Sequence, residues 1–450
     1  MIIYNLVIYW KAHQELSFMN YYSLITIVLL VLCFALLFLF QRRGLSFNTR
    51  SILSLCMGLI FGLLVKLLVP NSTDILFLSN LLKFIGGIYI KLLIMLIIPL
   101  VITSIIHSIV KLREGNGIYM TRIAIKSIVI LLITTGVSAI IGAFIAYFFH
   151  ISNGLILPST GIDNLHHNQN IYSTILAMIP GNPIEAMANN NIISVVIFSI
   201  FFGIACIKLH QTQPEKVINF ISVIDSAFEI SKKLANMIIQ LTPYGVIALI
   251  ANMTISQGIN TIYHMLTFIG AMYFAMFVVI IMHILLLCMV KYNPIFFFRN
   301  VYPALIVAFT TRSSLGTMPV TMGVLRNKLH LSGSVSNFVP GMGATVGMNA
   351  CAGIYPAMLV IMTTSILGNP ITWKLIILVG FINMISSLGV SGIPGTAFVA
   401  AGVTLSTLGL PYSIVALVQG IDPIIDMGRT ATNINAVMTT AVVVDKTTSI

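Results

Sequence analysis

The chain has 450 residues, of which 58% are hydrophobic and only 8% charged, with a net charge of +12. A soluble globular protein carries about 25% charged residues, so the composition excludes one and points to an all-α polytopic protein whose first partner is the lipid bilayer. The Lys and Arg residues lie singly between apolar runs and form no basic, aromatic-interleaved surface, which excludes nucleic acid as the reason for the positive charge.

Residues 1–20 are of mixed character, and Met19 offers a second start that would leave 1–18 as an upstream extension. Tyr22 to Phe40 is a continuous apolar run that ends in Gln41-Arg42-Arg43 without the small-residue cleavage site of a secretory signal, so it reads as a retained span. Arg42, Arg43 and Arg50 put the following loop in the cytoplasm and the N-terminus outside. A second span covers about 51–69. Leu81 to Val110 exceeds one crossing and predicts a tilted or kinked helix with its bend at Pro99. Lys111, Arg113, Arg122 and Lys126 mark the second cytoplasmic connection, and the fourth span follows at about 123–149. The loop 150–172 holds His150, Asp163, His166 and His167 but no Lys or Arg, as an external loop should. With no Cys and one acid near them, its adjacent histidines read as solvated loop and not as a metal site.

Apolar segments near 190–209, 217–253 and 262–290 predict three further helices. Asp225, Glu229, Lys232 and Lys233 lie three and four apart, the spacing of internal pairing on a helix. His264 and His283 are lone histidines on apolar faces and read as hydrogen-bonded core residues. The cysteines Cys33, Cys56, Cys206, Cys288 and Cys351 sit in apolar runs without a Cys-x-x-Cys spacing, against a disulfide framework and against zinc or redox motifs.

Beyond Tyr292 the long clean spans give way to short apolar limbs broken by Gly, Pro, Ser and Thr. Ile295 to Phe309 and Thr317 to Leu329 flank a polar stretch at 310–316, and Trp373 to Leu388 and Thr396 to Leu408 flank another at 389–395. A limb of about 13 residues reaches only about 20 Å as a helix and cannot cross alone. Two interrupted segments in corresponding positions predict a pair of re-entrant helical hairpins with a binding site between their tips. Between them, Gly341 to Gly353 is a Gly-rich polar island that reads as an unwound helix centre, where carbonyls suit a cation and amides a carboxylate. Near the C-terminus comes Asp-Pro-Ile-Ile-Asp-Met-Gly-Arg-Thr-Ala-Thr-Asn, Asp422 to Asn433. At about 100° per residue, Asp422, Asp426, Arg429 and Asn433 share an arc of about 60°. Charge at membrane depth marks a functional site unless it only cements packing.

At these residues the sequence resembles the dicarboxylate/amino acid:cation symporter family, the glutamate-transporter fold, over nearly the whole chain after about residue 50. The motifs are Leu241 to Val246, Thr311 to Met322, Gly343 to Gly353, Gly392 to Gly395 and Asp422 to Asn433. The resemblance implies eight to nine transmembrane helices with two re-entrant hairpins, a homotrimer, and a transport part that moves as an elevator against a scaffold. It divides the chain into an N-terminal extra helix and loop at 1–50, mainly scaffold helices at 51–291, and the core of the transport part at 292–450. By position it makes Asp426 the partner of the substrate amino group, Asn433 of its α-carboxylate and Arg429 of a distal acidic group. Arg312, Ser313 and Ser314 at the first hairpin tip and Gly392, Ile393, Pro394 and Gly395 at the second would close over the substrate beside Thr430, with Asn349, Cys351 and Asp422 completing the candidate set.

The departures are informative too. Sodium-coupled glutamate and aspartate carriers read Asn-Met-Asp-Gly-Thr in the unwound helix, where this chain has Gly347-Met348-Asn349-Ala350-Cys351. They carry an Asp where it has Val437 and a Tyr where it has Leu131. Two sodium sites thereby lose anionic ligands, although the hydroxyls of Thr134 and Thr135 remain. A carbonyl-built sodium site from Thr345, Met348, Ser387, Leu388 and Val390 needs no particular side chain, so two coupling ions stay open, one sodium or protons. Gly347 to Met358, Asp426 to Ala431 and the extra N-terminal helix look like the bacterial L-cystine transporter branch. Its substrate's two carboxylates and two ammonium groups match Arg312 and Arg429 against Asp422 and Asp426. The alternative is a sodium- or proton-coupled dicarboxylate or neutral amino-acid symporter. No Gly-x-Ser-x-Gly, His-Glu-x-x-His or P-loop occurs, which excludes the familiar hydrolases and direct ATP drive, and no cofactor is implied.

Overall fold

The computed structural model describes residues 21–69, 72–111, 118–152, 176, 178–258, 260–389, 392 and 395–448, and among them there is no strand. In chain order the helices are α1 (Tyr21–Arg42), α2 (Phe47–Leu68), α3 (Ser72–Met95), α4 (Ile97–Lys111), α5 (Ile118–Phe148), a short α6 (Pro183–Ala188), α7 (Ile192–Thr212), α8 (Pro214–Ile239), α9 (Thr242–Gln257) and α10 (Asn260–Met289). There follow α11 (Pro294–Thr311), α12 (Ser314–Asn327), α13 (Gly333–Gly343), a π-helix (Asn349–Ile354), α14 (Tyr355–Ile366), α15 (Trp373–Ser386), α16 (Ala397–Thr407), a short α17 (Ser413–Val418) and α18 (Asp422–Thr448). Eight spans among the described residues are long and apolar enough to cross a membrane, or nine with α8 and α9 taken as one. The expected all-α, eight-to-nine-span architecture is what the chain adopts. The histidines at 166 and 167, with Asp163, lie outside the described residues.

Prolines set the breaks. The long helix expected over 81–110 is interrupted at Leu96, one turn ahead of Pro99, because Pro99 offers no N–H to the Met95 carbonyl and its ring crowds that carbonyl. The segment 217–253, expected as one helix, is two: α8 ends at Ile239 and α9 begins at Thr242. Pro243 acts on the Ile239 carbonyl in the same way and itself sits in the first turn of α9, where a missing N–H is harmless.

The chain forms two compact units. The first takes Met1–Lys91, Gln240–Tyr263 and Gln419–Ile421. Its core joins Leu30 and Leu37 of α1, Phe61 and Val65 of α2, Leu78 and Leu82 of α3 and Ile247 and Ala251 of α9. Gly58 and Gly62 let α2 approach α9 closely, since a Cβ at 62 would lie 2.6 Å from Thr254 Cβ and 2.8 Å from the Ala251 carbonyl oxygen. Such small-residue crossings are how helices pack where lipid removes the hydrophobic drive. Arg50 is buried there, with Nη1 donating to Gln41 (2.8 Å) and Nη2 to Gln240 (3.0 Å).

The second unit takes Leu92–Ile239, His264–Val418 and Asp422–Ile450 and contains every described candidate site residue. One of its cores gathers Leu131 of α5, Leu287 of α10, Phe297 and Val301 of α11, Val324 of α12, Val335 of α13 and Ile434, Val437 and Met438 of α18. On α8, Glu229 pairs internally with Lys232 at 2.5 Å, whereas Asp225 reaches across to His107 of α4 at 2.6 Å. The first hairpin's leading limb, α11, is longer than expected at 18 residues. Thr310 and Thr311 stay helical, so the break is confined to Arg312 and Ser313. The unwound centre is also narrower than the island: α13 runs on to Gly343, and helix resumes at Asn349 as a π-helix.

Candidate substrate site

The face expected on α18 is buried in full: Arg429 is 0% exposed, Asn433 1%, Asp426 3% and Asp422 6%. One nitrogen, Arg429 Nη2, donates to both Asp422 Oδ1 (2.5 Å) and Asp426 Oδ1 (3.1 Å). The guanidinium lies 4.4 Å from the ring centre of Tyr355, a cation–π contact at the start of α14 that the sequence reading missed. Its signal is the aromatic two residues after Gly353. Arg429 Nε and Nη1 have no hydrogen-bond partner among the described residues. A buried guanidinium with two unmatched donors is costly in itself and suited to an incoming carboxylate.

The hairpin tips meet at Gly392. Its carbonyl oxygen accepts from the Leu315 amide (3.2 Å) and the Ser313 hydroxyl (3.3 Å), and Ser313 also caps α12 by accepting from the Gly316 amide (3.0 Å). A methyl group at 392 would collide with the Ala344 carbonyl oxygen and lie 2.9 Å from Ser314 Cβ. On the same tip the Gly395 amide donates to Asp426 Oδ2 at 3.2 Å, which ties the second hairpin to α18. Arg312 closes α11 in the left-handed region at φ 56°. A non-glycine residue there costs about 1–2 kcal/mol, and the strain turns a 3%-exposed cation inward.

Under the tips is a narrow cavity walled by Arg312, Ser314, Met348, Cys351, Gly392, Thr396, Ala397, Asp426, Thr430 and Asn433. The structure thus brings together seven of the predicted substrate residues and adds Thr396 and Ala397, the first residues after the predicted tip. Gly395 touches the site through Asp426 and Ser313 through Gly392, while Arg429 lies off the cavity wall, joined to it through Asp426, with Asp422 behind it. Ile393 and Pro394 lie outside the described residues.

Two residues face elsewhere than expected. Asn433 spends its amide on the π-helix: Oδ1 accepts from the Ala350 amide (2.8 Å) and, more weakly, the Cys351 amide (3.4 Å), and Nδ2 points to Cys351 Sγ at 3.0 Å. Asn349 lies off the cavity wall, its Oδ1 accepting from Thr134 (3.1 Å) and Thr135 (3.0 Å) while Nδ2 faces His283 Nε2 (2.9 Å). The wide π-turn causes both arrangements, since it pushes Asn349 toward α5 and leaves amides for Asn433 to collect. His283 is a buried, hydrogen-bonded residue, as its apolar surroundings suggested. Of the carbonyls proposed for sodium, that of Ser387 accepts from the Gly347 amide (3.3 Å) and that of Met348 from the Ala352 amide (2.8 Å). Each keeps one lone pair. Thr345 Oγ1 donates to Met342 O at 3.1 Å, and Val390 lies outside the described residues. All five cysteines are unbridged.

Residues 47–447 match the pattern of the sodium:dicarboxylate symporter family. The chain is 35% identical over 437 residues to the L-cystine uptake protein TcyP of Bacillus anthracis, covering 94% of each chain. It is 33% identical over 446 residues to that of Bacillus licheniformis, with 96% of each covered. An uncharacterised symporter of Haemophilus influenzae is 34% identical over 410 residues, covering 86% of this chain and 92% of the relative. Broken helices around a buried charged cavity, eight or nine spans and these relatives describe a multi-pass transporter of a bacterial cell membrane and not an enzyme. The chain belongs to the sodium:dicarboxylate symporter family.

Proposed function

We propose that this chain is a secondary active importer of L-cystine across the bacterial cytoplasmic membrane, driven by a cation gradient. The observation that carries the reading is Arg429, fully buried, held by Asp422 and Asp426, with Nε and Nη1 unmatched. With Arg312 and Asp426 in the cavity wall and Arg429 and Asp422 bonded behind Asp426, the site and its immediate support hold two guanidinium groups and two carboxylates, a set of no net charge that suits a substrate with two ammonium and two carboxylate groups. The names of the Bacillus relatives support the same choice.

In this reading Asp426 receives a substrate ammonium, Arg429 and Arg312 the carboxylates, and Ser314, Cys351, Thr430 and Asn433 shape the wall. Asn433 contributes chiefly by holding the π-helix open toward the cavity. The second hairpin acts as the gate. Opening it breaks the bonds at Gly392 O and Gly395 N, each worth about 0.5–1.5 kcal/mol net, a barrier that substrate contacts can offset. The resemblance further supports an elevator within a homotrimer, with 292–450 as the core of the moving part and scaffold mainly from 51–291.

The deciding experiment is uptake of labelled L-cystine into proteoliposomes under an imposed sodium gradient, proton gradient or neither. Accumulation under one gradient is expected; accumulation of glutamate, aspartate or a neutral amino acid in place of cystine would overturn the substrate. Arg429→Lys tests the fork. A point ammonium cannot span two carboxylates and a substrate, so affinity for cystine should fall about 10- to 100-fold, by about 1.4–2.7 kcal/mol. Unchanged affinity for every amino acid tested would remove Arg429 from recognition.

A further inference from the structure

Behind the cavity wall is a polar cluster that substrate recognition does not use. His283 of α10 is 1% exposed. Its Nε2 lies 2.9 Å from the amide of Asn349 and its Nδ1 2.9 Å from the amide of Asn435 on α18. A neutral imidazole has one N–H and one bare nitrogen, so it needs one donor and one acceptor. Both asparagines can turn an oxygen to the ring. Asn435 Oδ1 has no hydrogen-bond partner among the described residues. Asn349 Oδ1 is met by the hydroxyls of Thr134 and Thr135, and each of those hydroxyls also lies within reach of the Leu131 carbonyl, at 3.0 and 2.7 Å. With their hydrogens on Leu131, the two hydroxyls become acceptors for the Asn349 NH2 group, and Asn349 Oδ1 faces Nε2. The ring itself therefore has hydrogen-bond partners both when neutral and as the imidazolium, the two related by rotation of side-chain amides and hydroxyls alone, with the far end of the Asn435 amide unpaired among the described residues in either.

The groups that face the ring are uncharged: Asn349 from the π-helix, Asn435 from α18 and, through Asn349, Thr134 and Thr135 from α5. On α18 the ionisable residues are Asp422, Asp426 and Arg429 toward one end and Asp445 and Lys446 at the other; the π-helix carries Cys351, α14 begins with Tyr355, α5 carries Tyr119, Arg122, Lys126 and Tyr147, and α10 itself has Tyr263, His264, Tyr273 and Cys288. Among the described side chains, none of them hydrogen-bonds to the ring. Among the buried groups near the cavity, histidine is the type whose ordinary change of charge falls between about pH 5 and 8. Asp422 and Asp426 are held by Arg429. The link to the cavity is short. Asn349 opens the π-helix whose next two amides are collected by Asn433, and Asn433 and Cys351 wall the cavity. Asn349 is thus two peptide units from a cavity-wall residue, close enough for its hydrogen bonding and substrate binding to be linked.

We propose that His283 binds the co-transported proton, with the side-chain oxygens of Asn349 and Asn435 accepting from the two ring N–H groups. The proposal rests on the coupled-import reading and names its ion. One proton from outside joins the bare ring nitrogen, no covalent bond among heavy atoms changes, and the same proton leaves on the inner side.

The test uses full-length protein in proteoliposomes with a pH-sensitive dye inside, and wild type beside His283→Gln, a side chain with one donor and one acceptor but no proton to gain. Exchange of labelled substrate across vesicles at equal pH moves no net proton and reports a folded site. Labelled L-cystine is the first probe; should wild type exchange glutamate, aspartate or a neutral amino acid instead, the substrate assignment falls and that amino acid becomes the probe for His283. The expected result is that wild type accumulates substrate under an inward proton gradient and acidifies the lumen, while His283→Gln exchanges but accumulates only to parity, without acidification. Proton-driven accumulation by His283→Gln overturns the proposal, as does wild-type accumulation under sodium alone without acidification. Asn435→Asp serves as a second variant: a carboxylate against Nδ1 favours the imidazolium and should move the midpoint of pH-dependent uptake alkaline by about one unit or more. An unmoved midpoint counts equally against it.

Discussion

Asp426→Asn is expected to reduce uptake to background, a loss of at least about 100-fold, or roughly 2.7 kcal/mol, while insertion and oligomeric state match wild type. The carboxylate is 3% exposed and bonds both Arg429 Nη2 and the Gly395 amide. An amide of the same shape can keep one acceptor for these contacts, and Asp422 still holds Arg429, so the fold survives. What changes is charge. The site passes from neutral to positive just where an ammonium group has to enter, and a desolvated ammonium facing a neutral amide forfeits its charge-assisted bond. Uptake in vesicles, beside sedimentation of the purified protein in detergent, checks both halves. Transport near the wild-type rate would dismiss Asp426 as the ammonium partner.

Gly392→Ala should be nearly as damaging for a steric reason. A Cβ there has no room against the Ala344 carbonyl oxygen and Ser314, so the tips cannot meet and the bonds from Leu315 N and Ser313 Oγ to Gly392 O are lost together. Overpacking of this kind costs about 1–3 kcal/mol, which predicts substrate affinity weaker by about 10- to 100-fold. The strain falls on the closed state, so a thermal melt without substrate should shift little while the stabilisation that substrate confers should shrink. Equal protection by substrate in variant and wild type would show that closure does not pass through Gly392.

Much of this site was legible because helical periodicity is a strict ruler. On any α-helix Asp422, Asp426, Arg429 and Asn433 share a face, and α18 displays them so. The Gly392 to Gly395 break between two short apolar limbs likewise announced a hairpin tip. Pro243 was overlooked as a helix break because the apolar run continues through it, and hydropathy is blind to backbone hydrogen bonds. The route of an individual side chain was less accessible still. Asn349 and Asn433 sit in motif positions that suggest substrate contacts, yet one reaches Thr134 and Thr135, more than 200 residues away in sequence at separations of 215 and 214, and the other caps amides of a π-turn.

The sequence by itself determined that the chain is a helical membrane protein with broken segments in its last third and a charged stripe on its final helix, because apolar length, proline and helical spacing act locally and add along the chain. Only the tertiary structure decided that one nitrogen of Arg429 serves both aspartates, that Asn349 turns from the cavity to the hydroxyls of α5, and that His283 lies between two amides. Those outcomes depend on which helices meet and on how few partners a buried polar group can find once lipid and protein have excluded water.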